Sequence, residues 1–368
     1  MHICMLTDKF LPSEKPTGIG VAAYGMALAL ANRGSSVHYI CRGGTDGVIH
    51  VSDHLTVQTI RRYSRDNLEA SLTILKGGVC QIFHVHSSVA APSLLAARAL
   101  GRPAVFHSHG DQPLHPLRLT LVRSIEMSLS QRVIAVSENT RQDIIKNHHL
   151  PSEKVVVAYN GVDPKEFSPL GDSSSVLGRY NLRGYEKIVL SIGAIQPRKG
   201  QLYMVECLPE ILKTWPRLAY VNIGTGYDEA FKGMLLERAS SLGVSRAVRL
   251  LPSVPRDDLV ALINAADLCI HPSVREPFGL AVVEEMACGK AVLAFNVDAM
   301  PEIIDDGVDG ILVRPTNLED LTKFVLLALG DSGLTKRLGG AARQKVVGKF
   351  TWDRTAAQLE EIYRRLLL

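Results

Sequence analysis

Between residues 267 and 290 the chain changes hydrophobic period once, and that change limits the folds open to it. After Asp267, Leu268-Cys269-Ile270 is a short apolar run of the kind buried in a strand. Pro272 and Ser273 break it, and Pro277 and Gly279 make a loop. From Leu280 the apolar residues take helical spacing, at Leu280, Val283, Met286 and Ala287, with Gly289 as a stop. Strand, tight loop and helix in that order belong to α/β architecture with a parallel sheet.

The loop has chemical consequences. The first N–H groups of a helix have no intrahelical partner and lie at the positive end of its dipole. Phe278, Gly279 and Leu280 therefore present a site for an anion such as phosphate, and Gly279 lets a ligand approach the backbone. Glu276 lies in the loop and Glu284 about one turn into the helix. A phosphate at the helix end with a carboxylate on either side suits a nucleotide-sugar. One acid would take sugar hydroxyls and the other the ribose diol. A surface loop with two solvated acids is the plain alternative on pattern alone.

The same unit recurs along the chain. His2 to Leu6 reads as a strand, followed by a loop through Thr17-Gly18-Ile19-Gly20 and a helix from Val21 to about Asn32. No G-x-G-x-x-G is present, and no acid stands where a dinucleotide fold would bind ribose. Val37 to Cys41, Ile82 to Val85, Ala104 to Phe106, Val133 to Val136 and Val155 to Ala158 read as further strands. The third of these ends in His107-Ser108-His109-Gly110, and strand ends are where open α/β sheets gather ligands. Residues 43–78 give no clear pattern. Residues 164–186, rich in Pro, Gly and Ser, read as a linker. Lys187 to Ile192 opens a second set: strand, a loop ending Pro197-Arg198-Lys199-Gly200, then a helix from Gln201 to about Lys213. Adjacent cations in a strand-to-helix loop suit a diphosphate.

These stretches carry a resemblance. E-P-F-G-L-x-x-x-E-x-M-A-x-G, with its E-x7-E pair Glu276 and Glu284, resembles the signature of retaining glycosyltransferases of family 4. AVSENTRQDI and YNGVDPKEFSP are similar to the family's interdomain region. The resemblance implies an α/β GT-B fold: two Rossmann-like, doubly wound domains facing each other across a cleft. Residues 1–165 would be the acceptor domain and 166–350 the donor domain, with the terminal helix 351–368 packing back on the first. The implied activity is transfer of a hexose-type sugar from a nucleotide-diphosphate-sugar, UDP-sugar being commonest, to an acceptor hydroxyl. The acceptor class stays open between small molecule, glycan and lipid-linked glycan. Lys199, with Arg198, would hold the diphosphate, Glu276 the sugar and Glu284 the ribose. Phe278, Gly279 and Leu280 would meet the phosphate, and Val254 would lie at the base. Gly18 and His109 would reach the donor from the first domain, His109 at the sugar. Four positions depart from the pattern: Thr17 for the first of two glycines, Ala194 for an arginine, and Asp298-Ala299 for Gly-Gly. A GT-B sugar-nucleotide epimerase and a catalytically silent sugar-binding protein are the rival classes.

No D-x-D pair of the metal–diphosphate kind is present, so cations and backbone dipoles are expected to meet the phosphate charge without metal or cofactor. Residues 1–165 hold 17 Lys+Arg against 12 Asp+Glu and 11 of the 12 histidines. That modest excess fits an acidic acceptor or an anionic surface and points to no nucleic-acid partner. Leu114, Leu117, Leu121, Ile125 and Leu129 fall at helical spacing among arginines, so 113–132 is also compatible with peripheral membrane contact. No segment reaches 18 uncharged apolar residues. Six cysteines without metal spacing read as buried thiols, so a cytoplasmic location, at most peripheral to the inner membrane face, is expected.

Overall fold

The computed structural model describes residues 1–14, 17–61, 71–72, 80–86, 91–110, 117–224 and 228–368. The Gly77-Gly78 loop, the Thr225-Gly226 turn and residues 113–116 of the basic stretch lie outside them. The chain divides into two units, Met1–Gly161 with Trp352–Leu368, and Val162–Thr351.

The first unit is built on eight strands among the described residues. They are β1 (His2–Phe10), β2 (Ser36–Arg42), β3 (Gly47–Ser52), β4 (Leu55–Ile60), β5 (Ile82–His86), β6 (Ala104–Ser108), β7 (Arg132–Ala135) and β8 (Val155–Val157). Their order is β3-β4-β2-β1-β5-β6-β7-β8. Only the β3–β4 pair is antiparallel. β5 and β6 are buried along their whole length, as parallel strands covered on both faces must be. β3 is exposed throughout, so its residues carry no alternation. This is why the β3–β4 hairpin is invisible within the unreadable 43–78 stretch.

The helix Gly18–Asn32 begins at Thr17, whose hydroxyl accepts from the Gly20 N–H at 3.2 Å. It buries Ala22, Ala23, Met26, Ala27 and Leu30. The terminal helix Trp352–Leu367 packs on the same unit. A Cβ at Gly25 would come within 2.6 Å of the Trp352 ring, so the absent side chain makes room for the indole. Arg33 reaches across to Asp353 at 2.8 Å and Glu360 at 3.3 Å. Tyr363 is fully buried and its hydroxyl meets His84 Nδ1.

The second unit holds β9 (Lys187–Ile192), β10 (Leu218–Ile223), β11 (Val248–Leu251), β12 (Leu268–His271), β13 (Val292–Phe295) and β14 (Ile311–Val313). All are parallel, in the order β11-β10-β9-β12-β13-β14. Val189, Met204, Leu208, Tyr220, Leu268 and Phe295 lie at its core. The stretch read as a linker is packed into this unit. Phe167, Val176 and Leu182 are fully buried, Ser174–Arg179 is a helix, and Arg343 donates to the carbonyls of Pro164 and Phe167. Its Pro, Gly and Ser content reflects turns on a fixed surface and not a free tether. All six cysteines are buried thiols.

Candidate functional site

In the second unit the strand order reverses between β9 and β12, neighbours although Val189 and Leu268 are far apart in the chain. Open α/β sheets bind ligands outside the carboxyl ends of strands at such a switch point. The chain leaves β9 into the Pro197–Lys199 turn and leaves β12 into the Pro272–Phe278 loop. Gly200 joins the two: at φ +68, an added Cβ would stand 1.8 Å from the Pro272 carbonyl oxygen. Val274 N–H donates to the Arg198 carbonyl at 2.9 Å. No other residue type permits that approach, so the glycine decides that the two loops touch.

Lys199 and Glu276 therefore meet, 77 residues apart, with Nζ 2.6 Å from Oε2. Both are largely buried, the side chains 15% and 9% exposed. The Ser273 hydroxyl also donates to Glu276 Oε2 at 3.3 Å. Burial alone would raise the Glu276 carboxyl. Lys199, with help from Arg198 and His271, outweighs it and holds the group below its ordinary value. Arg198 forms no ion pair among the described residues, and its guanidinium lies 3.1 Å from the Gln196 side-chain amide, whose oxygen accepts from it once the amide is turned.

Glu276 opens onto the helix Leu280–Ala287, whose N-cap is Gly279 at φ +94. A Cβ at Gly279 would lie 2.7 Å from the Met300 methyl, so the cap is closed to other residues on steric as well as conformational grounds. Phe278 is buried and Leu280 half-buried. Glu284 does not join Glu276 and Lys199. It sits buried in the helix with Oε1 3.3 Å from Arg256 Nη1. Burial pushes its carboxyl up to about 7, against the pull of Arg256. Val254 is half-buried just after β11, two residues before Arg256. Glu285, the neighbour of Glu284, is fully buried and bound to His271 Nε2 at 2.6 Å, which makes it part of the core.

Two participants are absent from a reading of motifs. Asp298, where glycine was expected, adopts φ +44 and accepts from the Glu276 N–H at 2.7 Å and from Arg275 Nε at 2.9 Å. The departure is thus a brace for the Glu276 loop; aspartate tolerates this conformation better than most residues. Arg256 is the other, and its only sequence signal is its position at the start of the helix that follows β11.

In the first unit, Gly18 starts its helix with open space where a Cβ would go. His109 lies just past β6, half-buried. It belongs to a row of four imidazoles on adjacent strands. His84 Nε2 meets His107 Nδ1 at 3.2 Å, and His86 Nδ1 meets His109 Nε2 at 3.0 Å. The rings stack, His107 on His109 at 4.9 Å between centroids. Burial lowers all four, His109 to about 3 with Lys9 adding to the effect, so they are neutral. His107 is fully buried. Atoms of His84, His86 and His107 lie close enough to suggest metal ligation, but near-parallel rings do not aim their lone pairs at one point. No helix among the described residues is long and apolar enough to cross a membrane. In the helix Leu117–Leu129, Leu121 and Ile125 are exposed.

Comparison with known proteins agrees with this architecture. The profile described as "Glycosyl transferases group 1" matches residues 177–345, and "Glycosyltransferase Family 4" matches residues 16–166. An uncharacterized glycosyltransferase of Methanocaldococcus jannaschii is 26% identical over 99% of this chain and 98% of its own length. A D-inositol 3-phosphate glycosyltransferase of Salinispora arenicola is 33% identical over 69% of this chain, an alignment spanning 59% of that relative. The crystal structure of Anabaena HepE with UDP and glucose superposes with a TM-score of 0.83 at 21% identity, covering 99% of both chains. With a group 1 match over its second unit, a family 4 match over its first and GT-B neighbours across its length, the chain belongs to the family 4-type glycosyltransferases and has the GT-B fold.

Proposed function

We propose that this glycosyltransferase moves a hexose from a UDP-sugar to an acceptor hydroxyl, with retention at the anomeric carbon and without a metal ion. The observation that carries the reading is the Lys199–Glu276 pair beside the amino end of the Leu280–Ala287 helix. A cation, an acid and a positive helix end at one strand switch point match the three parts of a sugar diphosphate. Lys199 and Arg198 take the diphosphate together with the amides of Phe278, Gly279 and Leu280. Glu276, released from Lys199, accepts from sugar hydroxyls. Glu284 takes the ribose diol, and Val254 lines the base. Gly18 meets the donor, and His109 is assigned to the transferred sugar. The UDP preference draws support from Anabaena HepE, crystallised with UDP-glucose.

In the reaction the bond from the anomeric carbon to the phosphate oxygen breaks as the bond to the acceptor oxygen forms on the same face. The acceptor proton passes to the departing phosphate oxygen, giving UDP and the glycoside. Negative charge grows on the diphosphate, so cations fixed there lower the barrier and not only the substrate's energy. Removal of one such stabiliser costs about 100–1000-fold in turnover.

The test is incubation with a panel of nucleotide-sugars, scoring nucleotide release with and without chelator, and the anomeric configuration of the product. UDP-sugars should turn over, chelator should leave the rate unchanged, and the anomeric configuration of the donor should persist in the product. Lys199→Ala should lower turnover far more than donor affinity. An inverted product, or activity lost to chelator and restored by manganese, would refute the mechanism.

A further inference from the structure

Arg256 is the first residue of the helix Arg256–Ala265 and lies outside the E-x7-E stretch. Its guanidinium is held on three sides. Nε and Nη2 donate to the two oxygens of Glu166 at 2.6 and 3.3 Å. The plane lies over the Phe167 ring, 4.3 Å from its centroid. Nη1 is left to face Glu284 Oε1 at 3.3 Å. The first two contacts fix the fork, and the third is the one that points inward.

We propose that Arg256 is a positioning residue for Glu284: anchored by Glu166 and Phe167, it keeps that carboxylate charged and aimed, and so sets how tightly the site binds the ribose of a nucleotide. The proposal rests on the assignment of Glu284 to the ribose diol. The charged and titratable groups around Glu284 define the balance. Arg256 comes from its own helix, Glu166 from the stretch before Phe167, and Glu285 and Cys288 from the Glu284 helix and its end. Arg343, on the Ser332–Lys349 helix packed against it, is spent on the carbonyls of Pro164, Phe167 and Ala287. Arg256 is therefore the cation paired with Glu284, facing two other acids and the penalty of burial. With the pair intact the carboxyl is already raised, to about 7. Without it, protonation would extend above neutrality, and a protonated acid accepts from a diol less well.

Two measurements decide it. In the first, UDP is titrated by calorimetry at pH 6, 7 and 8. The parent should gain roughly tenfold in affinity from pH 6 to 8 as Glu284 ionises. Arg256→Gln should bind UDP at least about tenfold more weakly at pH 8, with affinity still rising there, and Arg256→Lys should restore most of the parent's profile. A loss of packing alone would lower affinity equally at all three pH values. In the second, urea unfolding is followed without nucleotide over the same range. A carboxyl whose folded pKa lies above its unfolded one stabilises the fold at low pH and loses that contribution as pH rises. Relative to the parent, Arg256→Gln should lose more stability between pH 6 and 8, and the double variant with Glu284→Gln should not. An Arg256→Gln protein with the parent's stability profile would overturn the proposal. If the parent binds no UDP, the nucleotide reading fails, and with it the ribose role given to Arg256. The urea series still decides whether Arg256 governs Glu284.

Discussion

At the scale of single residues, the Lys199–Glu276 pair makes the sharpest forecast. Breaking a buried pair by removing one partner costs about 3–5 kcal/mol, because the other charge stays buried alone. Lys199→Ala should lose stability on that order by urea unfolding, and a Lys199→Ala/Glu276→Gln double variant should regain part of it. In the parent, Glu276 is held below its ordinary value, so its contribution is present above that value and lost as pH falls. In Lys199→Ala only the weaker pull of Arg198 and His271 opposes the burial penalty, and the sign reverses. The stability gap between variant and parent should therefore widen from pH 5 to pH 7, and a constant gap would mean the pair carries no linked proton. Asp298 gives a second forecast. Asp298→Ala removes the acceptor for the Glu276 N–H and leaves a non-glycine residue at positive φ. It should lower turnover by weakening the hold on the Glu276 loop, and Asp298→Asn should rescue much of the loss because its side-chain oxygen still accepts.

At the scale of elements, two junctions matter. Gly200 lies where the β9 and β12 loops cross, and Gly200→Ala combines an unfavourable backbone conformation with a clash against Pro272. A cost of at least ~3 kcal/mol is expected, with loss of turnover because Lys199 is displaced from Glu276. Near-parent stability by urea unfolding would show that the loops can separate freely. The second junction is the imidazole row on β5 and β6. Each buried histidine is neutral when folded and free to protonate when unfolded. Its contribution is therefore fully present above about pH 6.5 and lost below it, at about 1.4 kcal/mol per group per pH unit. Acidification from pH 6.5 to 5 should destabilise the first unit steeply, and His84→Phe, which removes one of these groups, should flatten the slope. The hydrophobic patterns of β5 and β6 were plain in the sequence, because parallel strands read as continuous apolar runs. The pairing of their histidines was not, since it depends on the register His86 against His107.

At the scale of the whole molecule, the last 17 residues fold with the first unit although they follow the second in the chain. Trp352 against Gly25, Arg33 against Asp353 and Glu360, and Tyr363 against His84 make the contact. Deleting Trp352–Leu368 should expose the Gly18–Asn32 helix and remove the cover from His84. Hydrogen exchange should show lost protection in that helix and in β5, with β9 to β14 unchanged. Lost protection confined to β9–β14 would contradict this division of the chain. What the sequence by itself determined is what depends on near neighbours. Alternating apolar runs and helical periods specify strands, helices and the α/β class, and the stretch from Glu276 to Gly289 carries enough identity to name the family. Even there, the Pro-rich residues 164–186 misled, because composition reports turns and not whether Phe167 has a core to enter. Tertiary structure alone decided the partners. Lys199 meets Glu276 because β9 pairs with β12 as well as with β10, and Arg256 meets Glu284 and Asp298 braces the loop because the segments after β11 and β13 come to the same place in space. Hydrophobic period is a local property of the chain. Charge pairing acts over a few ångströms in space, so strand order settles it and spacing along the sequence does not.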